Sequence, residues 1–112
     1  MCYNYVGYKM ERGFYYILEG RKPKPASQKQ WRELFSLKNR YKRIVDKTLV
    51  GETEVSTIFL GLDHNYSYTG PPVLFETMIF GGEHDQYQER YTTWDDAEAG
   101  HAKAVALVKA GK

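Results

Sequence analysis

The stretch Glu54-Val55-Ser56-Thr57-Ile58-Phe59-Leu60-Gly61-Leu62-Asp63 decides the fold. Its β-branched and aromatic residues favour extended backbone, and its apolar residues do not alternate cleanly with polar ones, the pattern of a central strand covered on both faces. Val73-Leu74-Phe75-Glu76-Thr77-Met78-Ile79-Phe80 repeats that character. Between them lies Asn65-Tyr66-Ser67-Tyr68-Thr69-Gly70-Pro71-Pro72, whose Gly-Pro-Pro end stiffens the chain and marks an ordered loop rather than a tight turn. An antiparallel pair is expected.

Upstream, Tyr3, Tyr5 and Tyr8 are spaced loosely like a strand, and Gly13-Phe14-Tyr15-Tyr16-Ile17-Leu18-Glu19 reads as one, closed by Gly20. Arg21-Lys22-Pro23-Lys24-Pro25 reads as a connector. Ser27 with Gln30 three residues on has the form of a capping box, and Trp31, Leu34 and Phe35 follow at helical spacing, which predicts a helix running to near Asn39. Tyr41 to Val50 is rich in β-branched residues and ends at Gly51-Glu52, a hairpin turn into the decisive strand.

Downstream, Gly81-Gly82 opens a turn, Gln86 to Tyr91 forms a short strand, and Thr93 with Asp96 caps a final helix. Trp94, Ala97, His101, Ala104, Val105 and Val108 share one face of that helix, so His101 points inward. Asp95, Asp96 and Glu98 near its start and Lys103 and Lys109 near its end suit the helix dipole. The expected class is α+β: a mostly antiparallel sheet of four to five strands, one helix after the first strand and a C-terminal helix packed on the sheet, in a single domain over residues 1–112.

With 42% hydrophobic residues, and with no apolar run near the ~20 residues of a membrane span, the chain reads as a soluble protein. Met1-Cys2-Tyr3-Asn4-Tyr5 does not have the form of a secretory signal, and a lone cysteine at position 2 rules out an internal disulfide or a cysteine-based zinc cage, so a reducing, cytoplasmic setting is expected. The net charge of +2 hides a division: residues 1–50 carry 12 Lys/Arg against 4 Asp/Glu, and residues 51–112 carry 4 against 10. If the fold keeps these halves apart, the basic side attracts an anion, a nucleotide or nucleic acid, and the acidic side a basic partner.

Chemistry, if any, is carried by Asp63, His64, Glu76 and His101. Such groups must be paired, hydrogen-bonded or neutral when buried. Asp63-His64 leaves the end of a strand at a loop, Glu76 lies inside a strand, and His101 lies on an apolar helix face. If the last helix covers the matching face of the sheet, His64, Glu76 and His101 converge into a site for zinc or another divalent metal, the basis of a metal-dependent hydrolase or nuclease. The alternative is a buried polar cluster in which Glu76 accepts from His101 or a backbone amide, with no cofactor. No nucleophile elbow, P-loop or dinucleotide fingerprint is present. Candidate ligand contacts are the loop tyrosines Tyr66 and Tyr68 and the basic run Lys38, Arg40, Lys42 and Arg43, which suit an aromatic or anionic ligand. The surplus of tyrosine and the opposed charges also suit a homodimer.

The blocks Val55 to His64, Pro72 to Phe80, and Arg90-Tyr91-Thr92-Thr93-Trp94 through Gly100-His101 resemble a family of small bacteriophage and prophage proteins. The resemblance takes in Trp31-Arg32-Glu33-Leu34-Phe35 and spans most of residues 27–108. Relatives carry a glycine-rich loop where this chain has Tyr66-Ser67-Tyr68. The resemblance implies a phage setting, and with it a non-enzymatic accessory protein of phage-host conflict, a counter-defence factor that binds a host protein or a small anionic ligand such as a nucleotide.

Overall fold

The computed structural model describes residues 14–67 and 69–111. The strand pattern expected around Tyr3, Tyr5 and Tyr8 lies outside them. Strands β1 (Tyr16–Glu19) and β2 (Lys22–Pro25) form an antiparallel hairpin, followed by helix α1 (Gln28–Leu34), a 3₁₀ helix (Leu37–Arg43), strands β3 (Ile44–Val50), β4 (Thr53–Phe59), β5 (Phe75–Phe80) and β6 (Gln88–Tyr91), and helix α2 (Trp94–Ala110). β3 to β6 form a four-stranded antiparallel sheet in chain order, and α2 packs across it. The class is α+β, as the periodicities require.

Several expected boundaries move: β3 begins at Ile44 rather than Tyr41, β4 ends at Phe59 rather than Asp63, β5 begins at Phe75 rather than Val73 and β6 at Gln88 rather than Gln86. Arg21 to Pro25 is mostly strand rather than connector, because Lys22 to Pro25 ladders onto Glu19 to Tyr16. The first helix is shorter than its periodicity suggests. Its capping box forms, with Ser27 Oγ accepting from Gln30 N and Gln30 Oε1 accepting from Ser27 N, but after Leu34 the chain tightens into the 3₁₀ helix that takes up Leu37 to Arg43. There the Asn39 amide and the Ser36 hydroxyl donate to the Glu33 carbonyl, satisfying an acceptor the helix end leaves open.

β4 corrects a further expectation. Val55, Thr57 and Phe59 are completely buried, while Glu54, Ser56 and Ile58 on the opposite face are only half-buried. The strand alternates after all. The outward Ile58 hides its period, and α2 covers one face alone. Phe59, Leu74, Phe75, Tyr16 and Ala97 form one apolar cluster, and Val55, Ile79, Ala104 and Val108 form a second, α2 contributing to both. Burying each large side chain contributes about 1.5–3 kcal/mol.

α2 presents Ala97, Gly100, His101, Ala104 and Val108 to the sheet, a stripe of mostly small residues that allows close approach. Thr93 Oγ1 caps it by accepting from Asp96 N at 3.0 Å. A Cβ at Gly100 would overlap the Tyr91 hydroxyl, so glycine here lets β6 and α2 meet. Past β4 the chain bends at Gly61, whose φ of +76° and contact with Trp31 and Phe35 admit no side chain. Residues 60–64 then bond to 73–74 on one side and to Phe14 and Tyr16 on the other, fastening the small hairpin to the large sheet.

Candidate functional site

His101 lies under the sheet at 3% exposure with both ring nitrogens occupied. Nε2 meets Thr48 Oγ1 at 2.8 Å, Nδ1 meets Thr57 Oγ1 at 2.7 Å, and Thr57 Oγ1 meets Thr77 Oγ1 at 2.5 Å. The register explains the row. Thr57 pairs with Thr77 across β4 and β5, Thr48 projects from β3 to the same face, and α2 lowers His101 between them. A neutral imidazole donates from one nitrogen and accepts at the other, so both hydrogen bonds form without a charge. Burial pushes the His101 pKa below its ordinary value, opposed by the Asp46 carboxylate 3.7 Å from Nε2. The Tyr91 hydroxyl is buried near the Thr77 end of the row, close enough to be influenced by that hydroxyl, yet it makes no hydrogen bond of good geometry among the described residues.

Asp63 is fully buried and organises the following loop: its Oδ1 accepts from Asn65 N at 2.8 Å and from Val73 N at 3.1 Å. Asn65 continues the scaffold, donating to the carbonyls of Thr69 and Pro71. His64 Nδ1 donates to the Leu62 carbonyl at 2.8 Å. Tyr66 stands at 72% exposure with its ring 6.1 Å from the His64 ring, and Tyr68 lies outside the described residues.

Glu76 projects from the opposite side of the sheet. Its Oε2 accepts from Gln88 Nε2 at 2.5 Å and from Arg90 Nε at 3.0 Å, both from β6. The convergence of His64, Glu76 and His101 is therefore corrected: α2 covers the face that carries Thr57 and Thr77, and side-chain alternation puts Glu76, one position away, on the other face. Among the described residues its partners are neither His101 nor a backbone amide. Among the described residues no three His, Cys, Asp or Glu side chains are arranged to hold a metal ion.

The basic run is a different kind of surface. In the 3₁₀ helix residues three apart stack in rows, so Leu37, Arg40 and Arg43 form one and Lys38 and Tyr41 part of the next. No residue of the turn is buried, and Leu37 and Tyr41 are 82% and 64% exposed. Lys38 reaches Glu33 at 3.7 Å, whereas Arg40, Lys42 and Arg43 have no acidic partner among the described residues. Arg43 lays its guanidinium over the Phe35 ring, Cζ 4.3 Å from the centroid. Phe35 stacks on Trp31 at 4.7 Å, and Trp31 meets Tyr15 at 5.5 Å. Arg43 Nε is buried without a hydrogen-bond partner among these residues, and burial pulls its pKa down. Sequence reading identified the charges but not the aromatic platform, since Phe35 and Arg43 sit in different elements and meet only where the chain folds back. Nor did it single out Leu37 and Tyr41, the exposed apolar members of the turn.

The chain matches no protein-family model, no curated protein and no solved structure.

Proposed function

We propose that this protein is a non-enzymatic binding module of phage-host conflict that acts in the host cytoplasm and holds an anionic surface against the turn Leu37–Arg43. The observation that carries the reading is Arg43, a guanidinium set on an aromatic platform and partly stripped of water, with no carboxylate to compensate it among the described residues. A charge in that state gains more from an arriving anion than a fully hydrated one. Arg40 and Lys42 widen the positive surface, and Leu37 and Tyr41 add apolar contact of the kind enriched at interfaces. Asp63, Glu76 and His101, by contrast, are engaged in hydrogen bonds within the fold. The resemblance to phage proteins makes a host protein or nucleotide the class of partner.

The test immobilises the protein, exposes it to bacterial host extract and to a nucleotide panel, and repeats both with the Arg40→Glu, Lys42→Glu double variant. A component retained by the parent and weakened about tenfold by the double variant is expected, that being the loss of roughly one charge-assisted contact. Retention indifferent to the double variant overturns the reading.

A further inference from the structure

Beside the basic turn runs a groove of about 470 Å³ between β1, α1 and the 3₁₀ helix. Its floor is aliphatic, made by Ile17, Leu18 and Leu34. Leu18 and Leu34 also pack on the first apolar cluster, so the floor is anchored from beneath, whereas Ile17 belongs to neither cluster and only lines the groove. The rim carries Lys29 and Lys42, neither with an acidic partner among the described residues, and the one carboxylate there, Glu33, is held by Lys38 at 3.7 Å. Lys42 belongs to both the groove and the basic turn, so the two surfaces are continuous.

We infer that this groove receives an apolar side chain of an acidic peptide segment on a partner protein, whose flanking carboxylates meet Lys29 and Lys42 and continue along Arg40 and Arg43. The inference deepens the proposed function by naming the class of partner. Charge complementarity selects the acidic flanks, since among the described residues the cations lining the groove outnumber its one carboxylate, Glu33, which Lys38 already approaches. The floor selects the anchor. Among the described residues it offers no aromatic ring on which a base would stack, which disfavours a nucleotide, and its aliphatic surface suits leucine, isoleucine or phenylalanine. The groove is open and holds one or two side chains, so an occupant long enough to reach Arg40 and Arg43 extends beyond it, as a peptide does.

A displayed library of random twelve-residue peptides, selected on the full chain, tests this. Enriched peptides, fluorescently labelled, are then titrated by anisotropy against the parent, Ile17→Asp, Lys29→Glu and Arg40→Glu, with circular dichroism confirming each fold. Expected is an apolar residue flanked by Asp and Glu, bound at least tenfold more weakly by Ile17→Asp. If that variant does not fold, Lys29→Glu, an exposed helix position, must show the loss instead. Peptides weakened by Arg40→Glu but untouched by Ile17→Asp and Lys29→Glu overturn the groove and leave the basic turn standing. Absence of any enriched peptide also overturns the groove, and saturable binding of a labelled nucleotide in its place then keeps the anionic reading. Peptides indifferent to all three variants overturn both.

Discussion

One sheet presents two faces that treat polar side chains differently. Under α2, Thr57, Thr77 and His101 sit at 0–3% exposure and satisfy one another as neutral groups. On the face opposite α2 the polar cluster is ionic: Glu76 accepts from Gln88 and Arg90, and the Arg90 side chain keeps 39% of its surface in solvent. Where water is excluded, a charge would be costly and hydroxyls with a neutral imidazole fill the hydrogen-bonding positions. Opposite the helix, the largely buried Glu76 carboxylate is offset by two hydrogen bonds and by a guanidinium that still reaches water.

The sharpest test of this contrast is a pair of substitutions one residue apart on β4. Thr57→Val preserves shape but deletes the hydroxyl that His101 Nδ1 and Thr77 Oγ1 share, leaving two buried polar groups short of a partner. At about 1–3 kcal/mol for each, the variant should lose about 3 kcal/mol. Ser56→Ala, on the other face, should stay within about 0.5 kcal/mol of the parent. Urea unfolding measures both. A Thr57→Val loss below about 1 kcal/mol would mean that the row of hydroxyls does not hold helix to sheet.

Acid probes the same row more gently. Burial, partly offset by Asp46, holds the folded-state pKa of His101 below the ordinary 6.5. The unfolded chain therefore takes up this proton at a higher pH than the folded one. The contribution of neutral His101 is fully present above the unfolded value and is lost as pH falls from there through the folded value, with a slope of at most about 1.4 kcal/mol per pH unit. Urea midpoints taken at steps from pH 7.5 to pH 5 should decline in the parent, and the part of the slope due to His101 should vanish in His101→Asn. Identical slopes in the two proteins would remove His101 as the acid-sensitive group.

Much of this architecture is legible in the residues. Capping at Ser27 and Thr93, the hairpin at Gly51-Glu52 and the inward stripe of α2 are local signals, each contained within a few neighbouring residues. That His101 points inward follows from helical spacing alone. What spacing does not carry is which face of the sheet the helix chooses. Leu74, Met78 and Phe80 make the Glu76 face look as apolar as the other, and the choice rests on Val55, Phe59, Phe75 and Ile79 packing together across strands. For that reason the candidates divided instead of meeting. Lys22 to Pro25 escaped notice as a strand because two prolines depress strand propensity. Prolines are accommodated in β2 because the strand lies at the edge of a two-stranded ribbon. The platform under Arg43 depends on the chain reversing between α1 and the 3₁₀ helix, which no single periodicity encodes.

A smaller effect than that of Thr57→Val belongs to the face opposite α2, and it decides whether that face is open in solution. Glu76→Gln keeps an oxygen to accept from Arg90 but removes the charge, so the ion pair becomes an ordinary hydrogen bond. With Arg90 partly hydrated, the loss should be about 1 kcal/mol or less, and smaller again in roughly 0.5 M salt, where exposed charges are screened. A metal ligand at this position would behave differently, since the substitution would then expel the ion and change the protein's metal content. The informative failure is a loss as large as that of Thr57→Val and insensitive to salt. Glu76 itself is only 9% exposed, so a modest additional cover would isolate it. Leu49 and Phe80, 68% and 44% exposed on the same side of the sheet, would lie beneath such a cover too. A salt-insensitive loss would therefore place a second layer over this face in solution, and if the loss also varied with protein concentration, that layer would be another copy of the chain.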